Sequence, residues 1–215
     1  MKILKRILIG LVALVALLLV VGLFLPSKWR VERTIAIGAT PEAIAPLLAT
    51  PRRWADWAAW NNQMDPTLVT TYGGPETGVG ASMTWKGESM GHGTMTITSV
   101  APTVITYDLV LEENQTPAHG TFSLSVEGDK TMVTWLDEGD MGMFIPGRYF
   151  RPLLEKMLGE HFELGLKKLQ PLAESEARAA GASSSTRASA EPPAAAGPPT
   201  GEIAAAPEPA AAPAG

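Results

Sequence analysis

No cysteine occurs among the 215 residues, which excludes a disulfide framework, a thiolate metal site and a lipidated cysteine. Histidine is nearly absent as well: His92, His119 and His161 are too scattered for a zinc spacing, and Asp137-Glu138-Gly139-Asp140 is too short and irregular for a calcium loop. We therefore expect no metal and no cofactor. Basic residues are scarce between Val31 and Glu174, where 18 Asp and Glu outnumber 10 Lys and Arg. That balance disfavours nucleic acid and anionic headgroups, both of which require a basic face. The glycine-rich stretch Gly73 to Gly80 leads into a strand, so it provides no helix N-terminus for a phosphate and reads as a hairpin turn.

One long run carries no charge. Ile7 to Leu25 is apolar on every face and is preceded by Lys2, Lys5 and Arg6. As a helix rising about 1.5 Å per residue, it covers about 30 Å, the thickness of a bilayer's hydrocarbon core. A cleaved signal peptide has a shorter apolar centre, about 7 to 15 residues, and a small-x-small site. Here the run ends Phe24-Leu25-Pro26-Ser27-Lys28-Trp29. We expect a basic flank over 1–6, a transmembrane anchor over 7–25 and a linker over 26–30, placing the protein in the cell membrane as a single-pass chain. Lys28, Arg30 and Arg33 nearly balance the leading cations, and the soluble domain is expected on the extracytoplasmic side. Trp29 stands where an interfacial aromatic belongs. At the other end, 175–215 is Ala, Pro, Ser and Gly with few large apolar residues, a composition expected to stay disordered. It would serve as an extended spacer or be dispensable. Between them, 31–174 has the length of one domain.

Within that domain, Arg30 to Ile37 alternates as a strand, and Thr40-Pro41-Glu42 opens a short helix over Ala43 to Ala49. A second short helix runs from Pro51 to about Trp57. Period-two alternation then predicts strands over Thr67–Tyr72, Gly80–Trp85, Gly93–Val100, Val104–Leu111, Thr121–Val126 and Thr131–Leu136. Short turns between them imply an antiparallel meander. Leu154, Leu158, Phe162, Gly165 and Leu169 recur at helical spacing and predict a final helix from about Arg151 to Leu172, long enough to lie across the sheet. The fold class is α+β.

These pieces come in the order of a helix-grip fold, and the residues resemble the polyketide cyclase/dehydrase and lipid-transport superfamily, of START-like or SRPBCC type. The likeness covers nearly all of Val31 to Glu174. It rests on Val31-Glu32-Arg33-Thr34-Ile35-Ala36-Ile37 with Pro41-Glu42, and on Trp54-x-x-Trp57. Further matches are Gly73-Gly74-Pro75 with Gly78-Val79-Gly80-Ala81 and Trp85, then Gly91-x-Gly93, Val133-Thr134-Trp135 and Phe162-Glu163-x-Gly165-Leu166. An anchored N-terminus resembles a recurring bacterial variant. The resemblance implies a deep apolar cavity between a curved sheet and the long helix, and no single ligand or reaction. Asn114-Gln115-Thr116 fits a glycosylation acceptor, which a bacterial chain is not expected to use.

Alternation also assigns faces. Met83 with Trp85, Met95 with Ile97, Tyr107 with Leu109, Phe122 with Leu124, and Trp135 are phased inward. With Trp57 from the second short helix, and Leu158 and Phe162 from the last one, they form the expected cavity lining. His92, Asp108 and His119 fall on the outer face. Asp137 is the clearest inward acid, and His161 lies on the long helix at the core's edge. Eight methionines, among them Met64, Met90 and Met141, either fill the core or line a pocket able to reshape around its ligand. Trp54, Trp57 and Trp60 recur at three-residue spacing and are expected to clamp the sheet edge.

With so few inward acids or bases, the reading leans against an enzyme. The leading expectation is a membrane-tethered protein that binds, and in one version transports, a hydrophobic or amphipathic small molecule or lipid. A cyclase- or dehydratase-like enzyme using Asp137 or His161 is one alternative, and a ligand-free scaffold is the other.

Overall fold

The computed structural model describes residues 2–111 and 116–189; Asn114 and the tail from 190 onward lie outside the described residues. The elements are α1 (Lys2–Phe24), β1 (Lys28–Ile37), α2 (Pro41–Ala49), a one-turn 3-10 segment (Pro51–Arg53), α3 (Trp54–Trp57) and β2 (Val69–Gly73). They continue as β3 (Ser82–Lys86), β4 (His92–Ala101), β5 (Val104–Leu111), β6 (Thr116–Glu127), β7 (Lys130–Asp140) and α4 (Ile145–Ser189). The seven strands form one antiparallel sheet in the order β1-β7-β6-β5-β4-β3-β2. This is the α+β helix-grip architecture. The chain lays down one edge strand, crosses through the short helices to the opposite edge, and meanders back until β7 pairs with β1.

Tertiary pairing moves several boundaries. β6 begins at Thr116 and contains Pro117, although Gln115-Thr116-Pro117 reads as a turn. Pro117 opposes Val110 on β5, while β7 first pairs β6 at Ala118, so the proline stands at the end of the β6–β7 ladder, where a missing N–H is tolerated. β7 runs on through the acidic Asp137–Asp140 because those residues pair with Lys28–Val31, and Arg30 bonds the Glu138 carboxylate at 3.3 Å. A register shift between Ile97 and Ser99 puts a bulge in β4, a feature that bends a strand.

The last helix begins earlier and ends later than its apolar periodicity suggests. Pro146 is tolerated in the first turn, where its N–H would be unsatisfied anyway. Beyond Leu172, Ala173 stays buried, Ala177 packs on the core and Glu176 reaches Arg53 at 2.5 Å. α4 packs on the sheet and runs parallel to β1. Arg33 Nε bonds Glu163 at 2.7 Å, Gln170 Nε2 bonds the Ala36 carbonyl at 3.2 Å, and the Gly38 N–H bonds Glu174 at 3.0 Å. The helix thereby covers an edge strand that would otherwise offer unpaired backbone.

One end of the space between α4 and the sheet is filled. Trp135 stacks on Phe162 with ring centroids 4.0 Å apart and planes 5° from parallel. Trp54 and Trp57 pack edge-on against both Phe122 and Trp135. Their indole N–H groups donate to the Leu48 and Leu47 carbonyls of α2, so neither polar atom is stranded. Gly165 gives Trp135 room, since a Cβ there would lie 3.2 Å from the ring.

The helix α1 stands outside this core, apolar and almost entirely exposed. By length and composition it fits either a membrane anchor or a signal segment.

Removing the stacked ring should be costly. Phe162→Ala is expected to destabilise the domain by about 3 to 5 kcal/mol, as large-to-small changes at buried aromatics do. Urea unfolding followed by tryptophan fluorescence measures it, and a loss under about 1 kcal/mol would mean the stack is not a core contact.

Candidate functional site

At the other end of the sheet the same layers enclose a cavity of about 590 Å³. Its floor depends on a repeated cross-strand pairing of an aromatic residue with glycine. Tyr107 opposes Gly120, Trp85 opposes Gly93 and Trp29 opposes Gly139. Each ring lies down over its glycine: an added Cβ would come within 1.9 Å of Tyr107, 2.4 Å of Trp85 and 2.8 Å of Trp29. All three rings line the cavity. Laid flat, they wall the space instead of filling it.

Tyr107, Gly120 and Asp137 are successive register partners across β5, β6 and β7. Because Gly120 has no side chain, the Tyr107 ring crosses over it and its hydroxyl donates to Asp137 Oδ1 at 2.5 Å. Trp135 Nε1 donates in turn to the Tyr107 oxygen at 2.7 Å. Asp137 is buried, and burial pushes its carboxyl up to about 7 against the opposing effect of the Tyr107 bond. Burial first, and the Asp137 charge second, hold the Tyr107 phenol well above its ordinary value. The cavity thus contains one carboxyl poised between charged and neutral in a mostly apolar wall.

The twelve residues expected as lining divide by depth. Met83, Trp85, Met95, Tyr107, Leu109, Trp135 and Leu158 border the cavity. Trp57, Ile97, Phe122, Leu124 and Phe162 are buried in the filled end, packed in the core beneath α2, α3 and α4. Trp54, one turn before Trp57, does reach the cavity, and Trp60 lies on its rim in the loop after α3, edge-on to His161 at 5.4 Å. Among the described residues His161 Nδ1 is buried without a hydrogen-bond partner, and burial lowers the ring's pKa while Glu160 pulls it upward. His92, phased outward by alternation, instead borders the mouth, because it opens β4 directly after the Ser89-Met90-Gly91 turn. Asp108 and His119 are exposed, 2.7 Å apart, on the far face.

Six of the eight domain methionines, Met64, Met83, Met90, Met95, Met141 and Met157, border this one space. A buried carboxylate outside the lining holds the rim. Asp65 accepts the N–H groups of Thr67, Ser89 and Met90 at 2.9, 2.8 and 3.0 Å, and the Thr67 hydroxyl at 2.5 Å. These bonds, the hydroxyl foremost, hold its carboxyl down at about 2. They tie the turn carrying Ser89, Met90 and Gly91 to the loop carrying Met64. The local signal was Asp65-Pro66-Thr67, an Asx-type turn sequence that sequence reading passed over.

The family described as polyketide cyclase / dehydrase and lipid transport matches residues 28–174. The chain belongs to this family. Protein MLL2253 from Mesorhizobium loti is 14% identical, with a TM-score of 0.51 over 68% of this chain and 97% of that one. The di-domain ARO/CYC StfQ from the steffimycin biosynthetic pathway is 10% identical, with a TM-score of 0.51 over 70% of this chain and 52% of StfQ. At these identities the likeness shows the fold. No curated protein matches the chain. In this member of the polyketide cyclase / dehydrase and lipid transport family the cavity wall carries the flat rings, six methionines and Asp137.

Two carboxylates should leave opposite marks on the pH dependence of stability. Native Asp137 keeps a proton up to about pH 7 that the unfolded chain releases near 3.8, so its contribution is full below about pH 4 and is lost as pH rises to about 7. Asp65 acts in reverse: its contribution is present above 3.8 and is lost as pH falls towards about 2. Denaturant unfolding across pH 2 to 8 should show both slopes, and Asp137→Asn should abolish only the one between about pH 4 and 7. If that slope persists in the Asn variant, another group is responsible.

Proposed function

We propose that this protein binds a hydrophobic or amphipathic small molecule or lipid in the cavity beneath α4, while α1 holds it in the membrane. The observation that carries the reading is the 590 Å³ space bordered by flat aromatic rings and six methionines. Small-molecule sites commonly enclose about 300 to 1,000 Å³ and are mostly apolar with a few placed polar groups. Met83, Trp85, Met95, Tyr107, Leu109, Trp135 and Leu158 are the wall residues that would contact the ligand. Thioethers rotate cheaply and are polarisable, so the wall can close around apolar shapes of different outline. The polar end is Asp137 with Tyr107, suited to a hydroxyl, amine or other hydrogen-bonding head.

Retention of α1 as an anchor is supported by contacts from the folded domain. Arg148 Nη1 donates to the Gly22, Leu23 and Leu25 carbonyls at 3.2, 3.0 and 3.3 Å, at the end of a helix where a cation is favourable. A removable signal segment has no need of a partner in the mature domain. The extracytoplasmic side remains our assignment for that domain.

Asp137 also favours a second reading, a cyclase- or dehydratase-like enzyme. A buried acid with its pKa near 7 can give or take a proton, and His161 borders the same cavity. Binding remains the first reading because most of the remaining wall is apolar.

Native mass spectrometry of the full chain extracted in mild detergent tests the proposal. A small molecule of discrete mass should stay bound to the wild type and be lost from Leu109→Trp, which places an indole in the cavity while circular dichroism stays unchanged. A wild type that carries nothing and binds no added lipid would overturn it.

A further inference from the structure

The sheet register brings three things to one end of the molecule. Lys28 pairs with Asp140, Gly139 with Ala118, and Leu111 with both Thr116 and Gly93. The start of β1, three residues after α1, therefore lies at the sheet end rimmed by the 87–91 turn and by Met141 and Phe144, where the cavity opens. The hairpins at 102–103 and 128–129 are at the opposite end.

The first turns of α4 belong to this end and lie against α1. Tyr149 donates to the Leu18 carbonyl at 2.6 Å, and Ile145 and Tyr149 close on Gly22, where a Cβ would meet Ile145 at 2.4 Å and Tyr149 at 3.0 Å. Leu18 lies seven residues inside the end of the apolar run, a rise of about 10 Å. If α1 crosses a bilayer, the start of α4 shares its level. The side chains there match that surrounding: Met143 is 76% exposed, Phe150 64% and Leu153 62%, with Phe144 and Met157 about half exposed. Phe144, Phe150 and Met157 also border the cavity. One apolar surface is thus continuous from α1, over the first turns of α4, into the mouth.

We propose that the 141–144 loop and the first turns of α4 are sunk in the same phospholipid bilayer leaflet that receives the end of α1. The mouth then opens onto acyl chains, and a lipid-like ligand enters without crossing water. This rests on the reading of α1 as a membrane anchor.

The natural chain has no cysteine, so single labels are specific. Full-length Met143→Cys, Leu153→Cys, Val126→Cys and Leu14→Cys, each carrying an environment-sensitive fluorophore, are reconstituted in phosphatidylcholine nanodiscs with doxyl-labelled acyl chains. The labels at 143 and 153 should lose most of their emission to a shallow doxyl group, while the label at 126, exposed beside the distal β6–β7 hairpin, keeps its own. Emission at 14 should be lost to a deep doxyl group. Quenching at 14 with 143 and 153 behaving like 126 would leave the anchor standing and overturn the docked mouth. No quenching at 14, with the chain absent from the discs, would overturn the anchor reading instead. Shielding of 143 and 153 that depends on protein concentration and not on doxyl lipid would assign the patch to a second copy and overturn the proposal.

Discussion

The Tyr107 ring lying across Gly120 is the contact on which the cavity depends. A side chain at position 120 would lift the ring away from the sheet, break its bond to Asp137 and remove the partner of Trp135 Nε1. It would also push the phenol into the space that now forms the cavity. Trp85 over Gly93 and Trp29 over Gly139 repeat the arrangement on neighbouring strands. Aromatic side chains normally supply core volume; here the opposing glycines turn them into a floor. Where the partner is not glycine, as with Phe122 opposite Trp135 and Ile105, the rings pack against one another in the core.

The two buried aspartates show how burial and hydrogen bonding compete. Desolvation raises both carboxyls. At Asp65 it loses to three backbone N–H groups and a hydroxyl, and the charge stabilises the rim. At Asp137 it wins, because the Tyr107 bond offsets only part of the cost in an apolar wall. The first carboxylate is spent on structure, whereas the second keeps a proton affinity that a ligand can alter.

Strand alternation makes the inner face of the sheet readable, because a one-residue slip would turn every apolar side chain to solvent. It carries no information on depth. Ile97, Phe122 and Leu124 share a face with Met95, Tyr107 and Leu109, yet the first three lie at the filled end and the others at the open end. Which end is filled depends on where α2, α3 and α4 come to rest, a long-range outcome with no local period. His92 was hidden for another reason, since it opens β4 beside the rim turn, and alternation says nothing of which strand end meets the mouth. Pro117 and Pro146 read as breaks in the sequence, yet each is the second residue of its element, where a missing N–H costs least. The extension of α4 past Leu172 follows from contacts with Arg53 and the core that an Ala-rich composition does not announce.

Element order links this site to α1. β1 is the first strand, its start is at the open end, and α4 leaves that end parallel to it. Three residues join α1 to β1, so the end of α1 stays within roughly 10 Å of chain reach of the open end. The filled end, with its tryptophan cluster and the later turns of α4, is then directed away. Arg148 and Tyr149 shorten the tether further by fixing α4 directly to the α1 backbone. A flexible linker would let the domain tumble and present any face to lipid. These bonds instead make the orientation of the mouth a property of the fold, since turning it away would first require separating α4 from α1.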